Sequence, residues 1–216
     1  AWLNGHPDFR VGPDLSRVRS VAVIGNGNVA LDVARVLAKS ADEMARSDIV
    51  PEAAAAIAAA PLADIHVIGR RGPENASFTG NELAEMGRLA RAVAVTDPAV
   101  LNVAPAASDP TPERLRKAKN LEILKGFAAH QPKSKPITLH FRFNAAPLAF
   151  RPGEVELTTG TLRADLVVTC IGYDGEPFPS REGVFAVGWA RRGPTGTIPT
   201  NRAESHAVAK EGLAWL

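Results

Sequence analysis

The sequence predicts an α/β protein with a parallel sheet of the Rossmann-like type. The apolar run Ser20–Ile24 is followed at once by the glycine turn Gly25-Asn26-Gly27 and then by an amphipathic helix from about Asn28 to Ser40. A second apolar strand is predicted at Ile65–Gly69, after a further helix. Strands and helices that alternate in this way form parallel sheets covered by helices.

The next elements follow from proline positions and from apolar residues at helical spacing. An alanine-rich helix is predicted over Glu52–Ala60, because Pro51 suits a first helical position. A further helix is predicted over Glu82–Ala92. The segment Pro98–Pro112 contains several prolines and is expected to be a loop, after which a basic helix starts at Thr111.

The second half of the chain alternates polar and apolar residues, as strands with one buried face do. We expect a half-buried antiparallel pair from Ile137–Phe143 and Glu154–Thr158, a central strand at Asp165–Ile171, a strand at Val184–Gly188 and a closing amphipathic helix over Asn201–Leu216.

Composition excludes several classes of protein. The 216 residues carry a net charge of +2, which is too small to attract nucleic acid or a membrane surface by bulk charge. Cys170 is the single cysteine, so we expect no internal disulfide and no cysteine metal cluster, and its apolar neighbours favour a buried thiol over a nucleophile. No apolar stretch has the length of a membrane span, and no signal peptide is expected. We expect a reducing compartment, the bacterial cytoplasm, with the mitochondrial matrix as the alternative.

The glycine turn has the chemistry of a pyrophosphate site. Gly25 permits a tight turn, and Gly27 lets the backbone approach phosphates without an intervening side chain. The following helix offers unpaired N–H groups and a positive dipole end to an anion. Ala30 stands where the usual pattern has its third glycine, so the fit is GxGxxA.

An arginine pair, Arg70-Arg71, follows the second predicted strand. In a dinucleotide fold this strand tip lies beside the adenosine ribose, where an acid accepts from the NAD hydroxyl and an arginine pairs with the 2′-phosphate of NADP. The separation from Gly25 exceeds the ~20 residues of the simplest motif, and the helix Glu52–Ala60 accounts for the difference. The alternative is a solvated pair of arginines without a ligand.

Three stretches together carry a resemblance to a known family. They are GNGNVALDVAR at Gly25–Arg35, GRRGP at Gly69–Pro73 with Phe78-Thr79 and Glu82-Leu83, and GWARRGPTGTIPTN at Gly188–Asn201. With the opening Trp2-Leu3-Asn4-Gly5, they resemble ferredoxin–NADP reductases of the adrenodoxin-reductase type over nearly the whole chain.

The resemblance implies a role for each matching residue. Asn26, Gly27, Asn28 and Val29, within the turn Gly25–Ala30, would wrap the pyrophosphate of NADP(H), Arg70 and Arg71 would hold its 2′-phosphate, and Glu82 would brace the adenosine end. Trp189, Gly196, Thr197 and Ile198 would lie against FAD. Glu85 is similar to a carboxylate near the site of hydride transfer, and the alternative for Glu85 is an exposed helix acid.

The resemblance also implies a domain division. Residues 1–172 would form the NADP-binding domain and residues 173–216 a C-terminal remnant of the FAD-binding domain, because no second glycine fingerprint occurs in the chain. Electrons would pass from NADPH through FAD to a ferredoxin or a similar iron–sulfur protein. A basic face could steer such an acidic partner, drawn from Arg88, Arg91, Arg114, Arg116, Lys117 and Lys119. Two alternatives stay open: a non-catalytic NADP-binding redox sensor, and the flavoprotein subunit of a glutamate-synthase-like enzyme.

Overall fold

The computed structural model describes residues 1–172, 178, 181–193 and 198–215, and at 198–200 it describes the backbone alone. The chain divides into two compact units, Ala1–Ile171 and Gly172–Leu216. The assignment of these units to an NADP-binding and a partial FAD-binding domain stays a prediction.

A five-stranded parallel sheet forms the centre of the first unit, which confirms the predicted α/β class. In spatial order its strands are β3 (Ala92–Thr96), β4 (Ile137–Arg142), β2 (Asp64–Ile68), β1 (Ser20–Ile24) and β8 (Leu166–Thr169). β1 and β2 pair from Ser20 with Asp64 to Ile24 with Ile68, so their carboxyl ends lie side by side. Whatever follows these two strands is therefore brought to the same edge of the sheet.

Helices cover one face of the sheet. The first unit contains α1 (Asn28–Ala38), α2 (Ala41–Met44), α3 (Pro51–Ala59), α4 (Gly80–Met86) and α5 (Thr111–Ala128). They bury a large apolar core against the strands, with Leu31, Phe78, Leu83 and Leu124 inaccessible to solvent. Each such side chain contributes about 1.5–3 kcal/mol through removal of apolar surface from water.

A small antiparallel sheet packs on the other face. Its strands are β5 (Pro147–Arg151), β6 (Glu154–Leu157) and β7 (Gly160–Arg163), in that spatial order. Val155 and Leu157 of β6 share a second apolar cluster with Ile24 and Ile68 of the parallel sheet. The central sheet is thus buried on both sides where β1 and β2 end.

The predicted helix over Glu82–Ala92 is wrong in its second half. α4 ends at Met86 with Gly87 as its C-cap, and Ala92–Thr96 forms the strand β3, which the sequence analysis missed. All five β3 residues are buried, and the strand pairs in parallel with β4. The gain from this tertiary pairing outweighs the helical preference of the alanines.

The predicted antiparallel pair of Ile137–Phe143 with Glu154–Thr158 is also wrong. The first segment is β4, which lies between β3 and β2 in the parallel sheet, and the second is β6, which pairs with β5 and β7. The alternating pattern was real in both segments, because each strand has one better-buried face. Alternation alone does not specify the partner strand.

Two further strands differ from expectation. The segment predicted at Asp165–Ile171 forms β8, but β8 lies at an edge of the sheet and is only half-buried, not central. Val184–Gly188 forms no strand: within the described residues it contributes one isolated bridge, from Val184 to Arg181.

The second unit contains a short helix, α6 (Trp189–Arg192), and a long one, α7 (Ile198–Trp215). The α7 helix starts before the predicted Asn201, and Leu216 lies outside the described residues. Phe185 packs edge-on against Trp215 with ring centroids 6.2 Å apart, and Val208 is buried.

Candidate functional site

The turn after β1 is shaped by Gly25. Its N–H donates to the carbonyl of Ile68 at 2.9 Å, which joins the ends of β1 and β2. Its φ of +144° lies in a region that other residues rarely adopt, and a Cβ there would stand 2.2 Å from the carbonyl oxygen of Cys170. Glycine is therefore the residue that both the backbone angle and the neighbouring carbonyl require.

The N-terminus of α1 follows directly, with Gly27 as its N-cap. No side chain caps this end, so the first amides of the helix are available to an external acceptor. Ala30 is completely buried, which explains why a small residue replaces the third glycine of the usual motif: the helix packs closely on the sheet there. Val29, by contrast, is exposed beside the turn.

Two asparagines connect the turn to the segment before α4. The backbone carbonyl of Asn26 accepts hydrogen bonds from the N–H and hydroxyl of Ser77 at 2.8 and 2.9 Å. The side-chain oxygen of Asn28 accepts from the N–H of Thr79 at 2.8 Å. These contacts of Ser77 and Thr79 were not predicted from the sequence, although short polar residues three and five positions beyond Gly-Pro-Glu are a visible signal of such turns.

The side chain of Asn26 has an unsatisfied acceptor. Its Oδ1 is buried and has no hydrogen-bond partner among the described residues. A buried amide oxygen without a donor costs about 1–3 kcal/mol, so it favours a ligand that brings a donor to the turn. The turn therefore offers a dinucleotide two kinds of contact, the uncapped backbone amides of α1 and the unpaired Oδ1 of Asn26.

Arg70 and Arg71 lie next to the turn, at the tip of β2, and both are exposed. Backbone hydrogen bonds fix the segment. The N–H of Gly69 donates to the carbonyl oxygen of Arg142 at 2.8 Å, and the N–H of Asn144 donates to the carbonyl oxygen of Arg71 at 3.0 Å. The structure thus brings the glycine turn and the arginine pair together, with both guanidinium groups open to solvent.

Arg35 organises the acidic residues near the site. Its guanidinium donates to Glu82 at 2.8 Å and also pairs with Glu85 and Asp32. Burial acts to lower the pKa of Arg35, but the three carboxylates outweigh it and raise this pKa above its usual value. The bridge joins α1 to α4 and holds Glu82 and Glu85 beside each other, an arrangement that the sequence analysis did not foresee.

The predicted FAD contacts lie in the second unit. Trp189 starts α6 and is 47% exposed, and it follows Gly188, whose φ is +59°. The N–H of Gly188 donates to the carboxylate of Glu204 on α7 at 3.1 Å. Gly196 and Thr197 lie outside the described residues, and Ile198 is described only as the first backbone position of α7. The FAD role of these residues stays a prediction.

Some of the residues predicted to form a basic docking face are engaged within the fold. Arg116 donates to the carbonyls of Ala76 and Phe78 at 3.0 and 3.1 Å, and Lys117 pairs with Asp109 at 2.9 Å. These two cations therefore hold α5 to its neighbours.

The fold and this site define a class. A parallel sheet whose first strand leads through a glycine turn into an uncapped helix, with guanidinium groups at the tip of the next strand, is a Rossmann-like domain of the dinucleotide-binding type.

Comparison with known proteins narrows this class to a family. The chain is 35% identical to the NADPH-ferredoxin reductase FprA of Mycobacterium tuberculosis, with 94% of the chain and 54% of the relative aligned. It is 30% identical to the mitochondrial NADPH:adrenodoxin oxidoreductase of Arabidopsis thaliana, with 93% and 54% aligned. The structure of M. tuberculosis FprA in complex with NADPH superimposes with a TM-score of 0.81 at 32% identity, covering 99% of this chain and 56% of FprA. Over nearly its whole length the chain is therefore homologous to NADPH-ferredoxin and adrenodoxin reductases.

The chain spans about half the length of the curated relatives it matches. No protein-family model matches it. Within the described residues, no helix is both long and apolar enough to cross a membrane.

Proposed function

We propose that this chain binds NADP(H) and forms the NADPH-binding part of a flavoprotein oxidoreductase. In the complete enzyme, electrons would pass from NADPH through FAD to a ferredoxin-type iron–sulfur protein. The observation that carries the proposal is the junction of the glycine turn with the arginine pair, where Asn26 packs directly on Gly69. The names of the mycobacterial and plant relatives support the same activity.

The chain's own residues would bind and orient the nucleotide. The first amides of α1 and the turn at Gly25–Ala30 would hold the pyrophosphate, and Asn26 Oδ1 would accept a donor from the ligand. Arg70 and Arg71 would bind the 2′-phosphate as bidentate donors. When bound, NADPH would supply a hydride, and in the complete enzyme FAD would supply the conversion of an electron pair into single electrons.

The roles proposed for the two acidic residues of α4 are a brace for the adenosine end by Glu82 and a carboxylate near the site of hydride transfer by Glu85. Arg35 pairs with both carboxylates through Nη1 and holds them side by side, so they would serve the same end of an extended dinucleotide, and only one of the two roles fits this arrangement. Trp189, Gly196, Thr197 and Ile198 would contact FAD and exclude water from its edge.

A ferredoxin is the proposed partner, and Arg88 and Arg114 are exposed basic residues that could steer it. The mycobacterial relatives and the single cysteine support the bacterial cytoplasm as the place of action, with the mitochondrial matrix as the alternative.

Calorimetric titration of the purified chain with NADPH and NADH tests the nucleotide assignment. We expect NADPH to bind at least about tenfold more tightly, because each charged hydrogen bond to the 2′-phosphate contributes roughly 1.5–3 kcal/mol. Equal affinities would overturn the assignment to NADP. The electron-transfer assignment is tested separately in the full gene product, by NADPH-dependent reduction of a ferredoxin. A product that binds NADPH and FAD but reduces no acceptor would favour the redox sensor.

A further inference from the structure

A cluster of imidazole and carboxylate groups lies on β2 and β4, outside the proposed nucleotide site. His66 and His140 are paired in register on these neighbouring strands, and their rings stack with centroids 4.4 Å apart. Asp64 lies two residues before His66 and so shares its face of the sheet. Its Oδ1 is 2.8 Å from Nε2 of His140. The proposed nucleotide site uses none of these three residues.

The spacing of the three side chains suits a metal ion. One ligand atom from each of Asp64, His66 and His140 lies within 4.8 Å of the other two. Ligands around tetrahedral Zn²⁺ are separated by ~3.3 Å, as bond lengths of about 2.0–2.1 Å require. Binding of an ion would require side-chain rotations that bring the three ligand atoms closer together. Three protein ligands with an open fourth position are the usual composition of a reactive or exchangeable zinc site.

His66 is buried in the sheet and His140 is half-buried. His66 is only 5% exposed, and burial, followed by the charges of His140 and Arg142, lowers its pKa to about 3. Burial also lowers the pKa of His140, although Asp64 acts in the opposite direction.

The cluster also has an entry route. Asp64 lines a cavity of about 590 Å³ at the amino-terminal ends of the strands, together with residues of the segments before β1, β4 and β8. The glycine turn lies at the opposite, carboxyl ends of β1 and β2. An ion could reach Asp64 from this cavity without passing through the nucleotide site. Four basic side chains also line the cavity and repel cations, namely Arg19, Lys133, Lys135 and Arg163.

We propose that Asp64, His66 and His140 bind a divalent transition-metal ion of the Zn²⁺ class. The ion joins β2 to β4 through one carboxylate and two imidazoles. Such a site would stabilise the sheet on the face that β5–β7 also contact.

Arg142 is expected to weaken metal binding at this site, so its substitution tests the proposal. Its Nε donates to Nδ1 of His66 at 3.1 Å, which occupies one ring nitrogen, and its positive charge repels a cation. Removal of this side chain frees His66 and lowers the local positive charge. Arg142→Gln is therefore expected to tighten metal binding by about tenfold.

The experiment uses protein freed of metal by a chelator and then titrated with Zn²⁺ against a chromophoric competitor. We expect one equivalent to bind, and His140→Gln and Asp64→Asn each to weaken binding at least about tenfold. His206→Gln, at an exposed histidine on α7, is the matched control and should bind as the wild type does. In the wild type, Co²⁺ should give the visible absorption of tetrahedral coordination.

Folding of the variants is followed through NADPH affinity and thermal melting. Zn²⁺ should raise the melting temperature of the wild type but not that of His140→Gln, because the ion binds the native state alone. If His140→Gln does not fold, the Zn²⁺ affinities of Asp64→Asn and Arg142→Gln test the proposal instead. Absence of Zn²⁺ binding in the wild type, or equal affinity in the wild type and the foldable ligand variants, overturns the site. Neither result bears on the proposed NADPH function.

Discussion

The amide of Asn26 lies against Gly69 so closely that a Cβ on Gly69 would come within 1.7 Å of Asn26 Nδ2. Asn26 belongs to the glycine turn after β1, and Gly69 immediately precedes the arginine pair after β2. The glycine turn and the arginine segment therefore pack together because the Asn26 side chain fills the space that a side chain at position 69 would occupy.

Gly69→Ala is expected to displace the Asn26 side chain and weaken NADPH binding at least about tenfold, a loss of ~1.4 kcal/mol. The fold should persist, because the atom that the new methyl group meets is the end of a side chain that can rotate. Calorimetric NADPH affinity and the urea midpoint measure the two effects.

Substitutions at two other glycines serve as comparisons for Gly69→Ala. The methyl group of Gly25→Ala would clash with a backbone carbonyl at a position of positive φ, so this variant should lose both stability and NADPH binding. Gly126→Ala lies in α5 with open space around it and should stabilise the protein by up to about 1 kcal/mol. Unchanged NADPH affinity in Gly69→Ala would show that the Asn26 contact is irrelevant to the ligand.

Arg70→Ala and Arg71→Ala should each reduce NADPH affinity by about tenfold or more while NADH affinity changes less than about twofold, because the 2′-phosphate is the only group that distinguishes the two ligands. Arg88→Ala, at another exposed arginine, serves as the control. Parallel losses for both nucleotides would contradict the proposed role in specificity.

Arg35→Gln is expected to lower the free energy of unfolding by about 1–2 kcal/mol, since it leaves Asp32, Glu82 and Glu85 close together without their shared cation. Urea denaturation of the single variants and of Arg35→Gln with Glu82→Gln measures the coupling. The double variant should lose less than the sum of the single losses. Strict additivity would mean that the pairing of Arg35 with Glu82 contributes nothing to stability.

Asp165→Asn should make stability less dependent on acid pH. Hydrogen bonds from the N–H groups of Arg19 and Ser20 lower the pKa of Asp165 below its ordinary value, so the ionised carboxylate stabilises the native state above about pH 4. This contribution is lost as pH falls through the lowered native-state pKa.

The wild type should therefore be more stable than Asp165→Asn at pH 7, by about 1 kcal/mol, and the difference should shrink in strong acid. Thermal melts from pH 7 to pH 2 measure it, with Asp48→Asn at an exposed loop as the control. A difference that stays constant over this range would exclude the carboxylate charge as its cause.

Local signals predicted much of the fold and of the site. The strand, turn and helix at Ser20–Ala38, the second strand and the basic helix from Thr111 are each marked by their own residues, and the structure contains all of them. The strand β3 and the partners of β4 and β6 were not predictable in the same way. Which strands pair depends on residues far apart in sequence, and short alternating segments are compatible with more than one partner.

The sequence by itself determined that a glycine turn with the geometry of a dinucleotide site lies in a parallel α/β domain, because glycine, apolar periodicity and helix-starting residues act locally. Only the tertiary structure decided what surrounds that turn. It placed Asn26 on Gly69, joined Arg35 to Glu82 and Glu85, and stacked His66 on His140. These contacts arise from strand register and from the packing of α1 on α4, which bring together groups that are tens of residues apart in the chain.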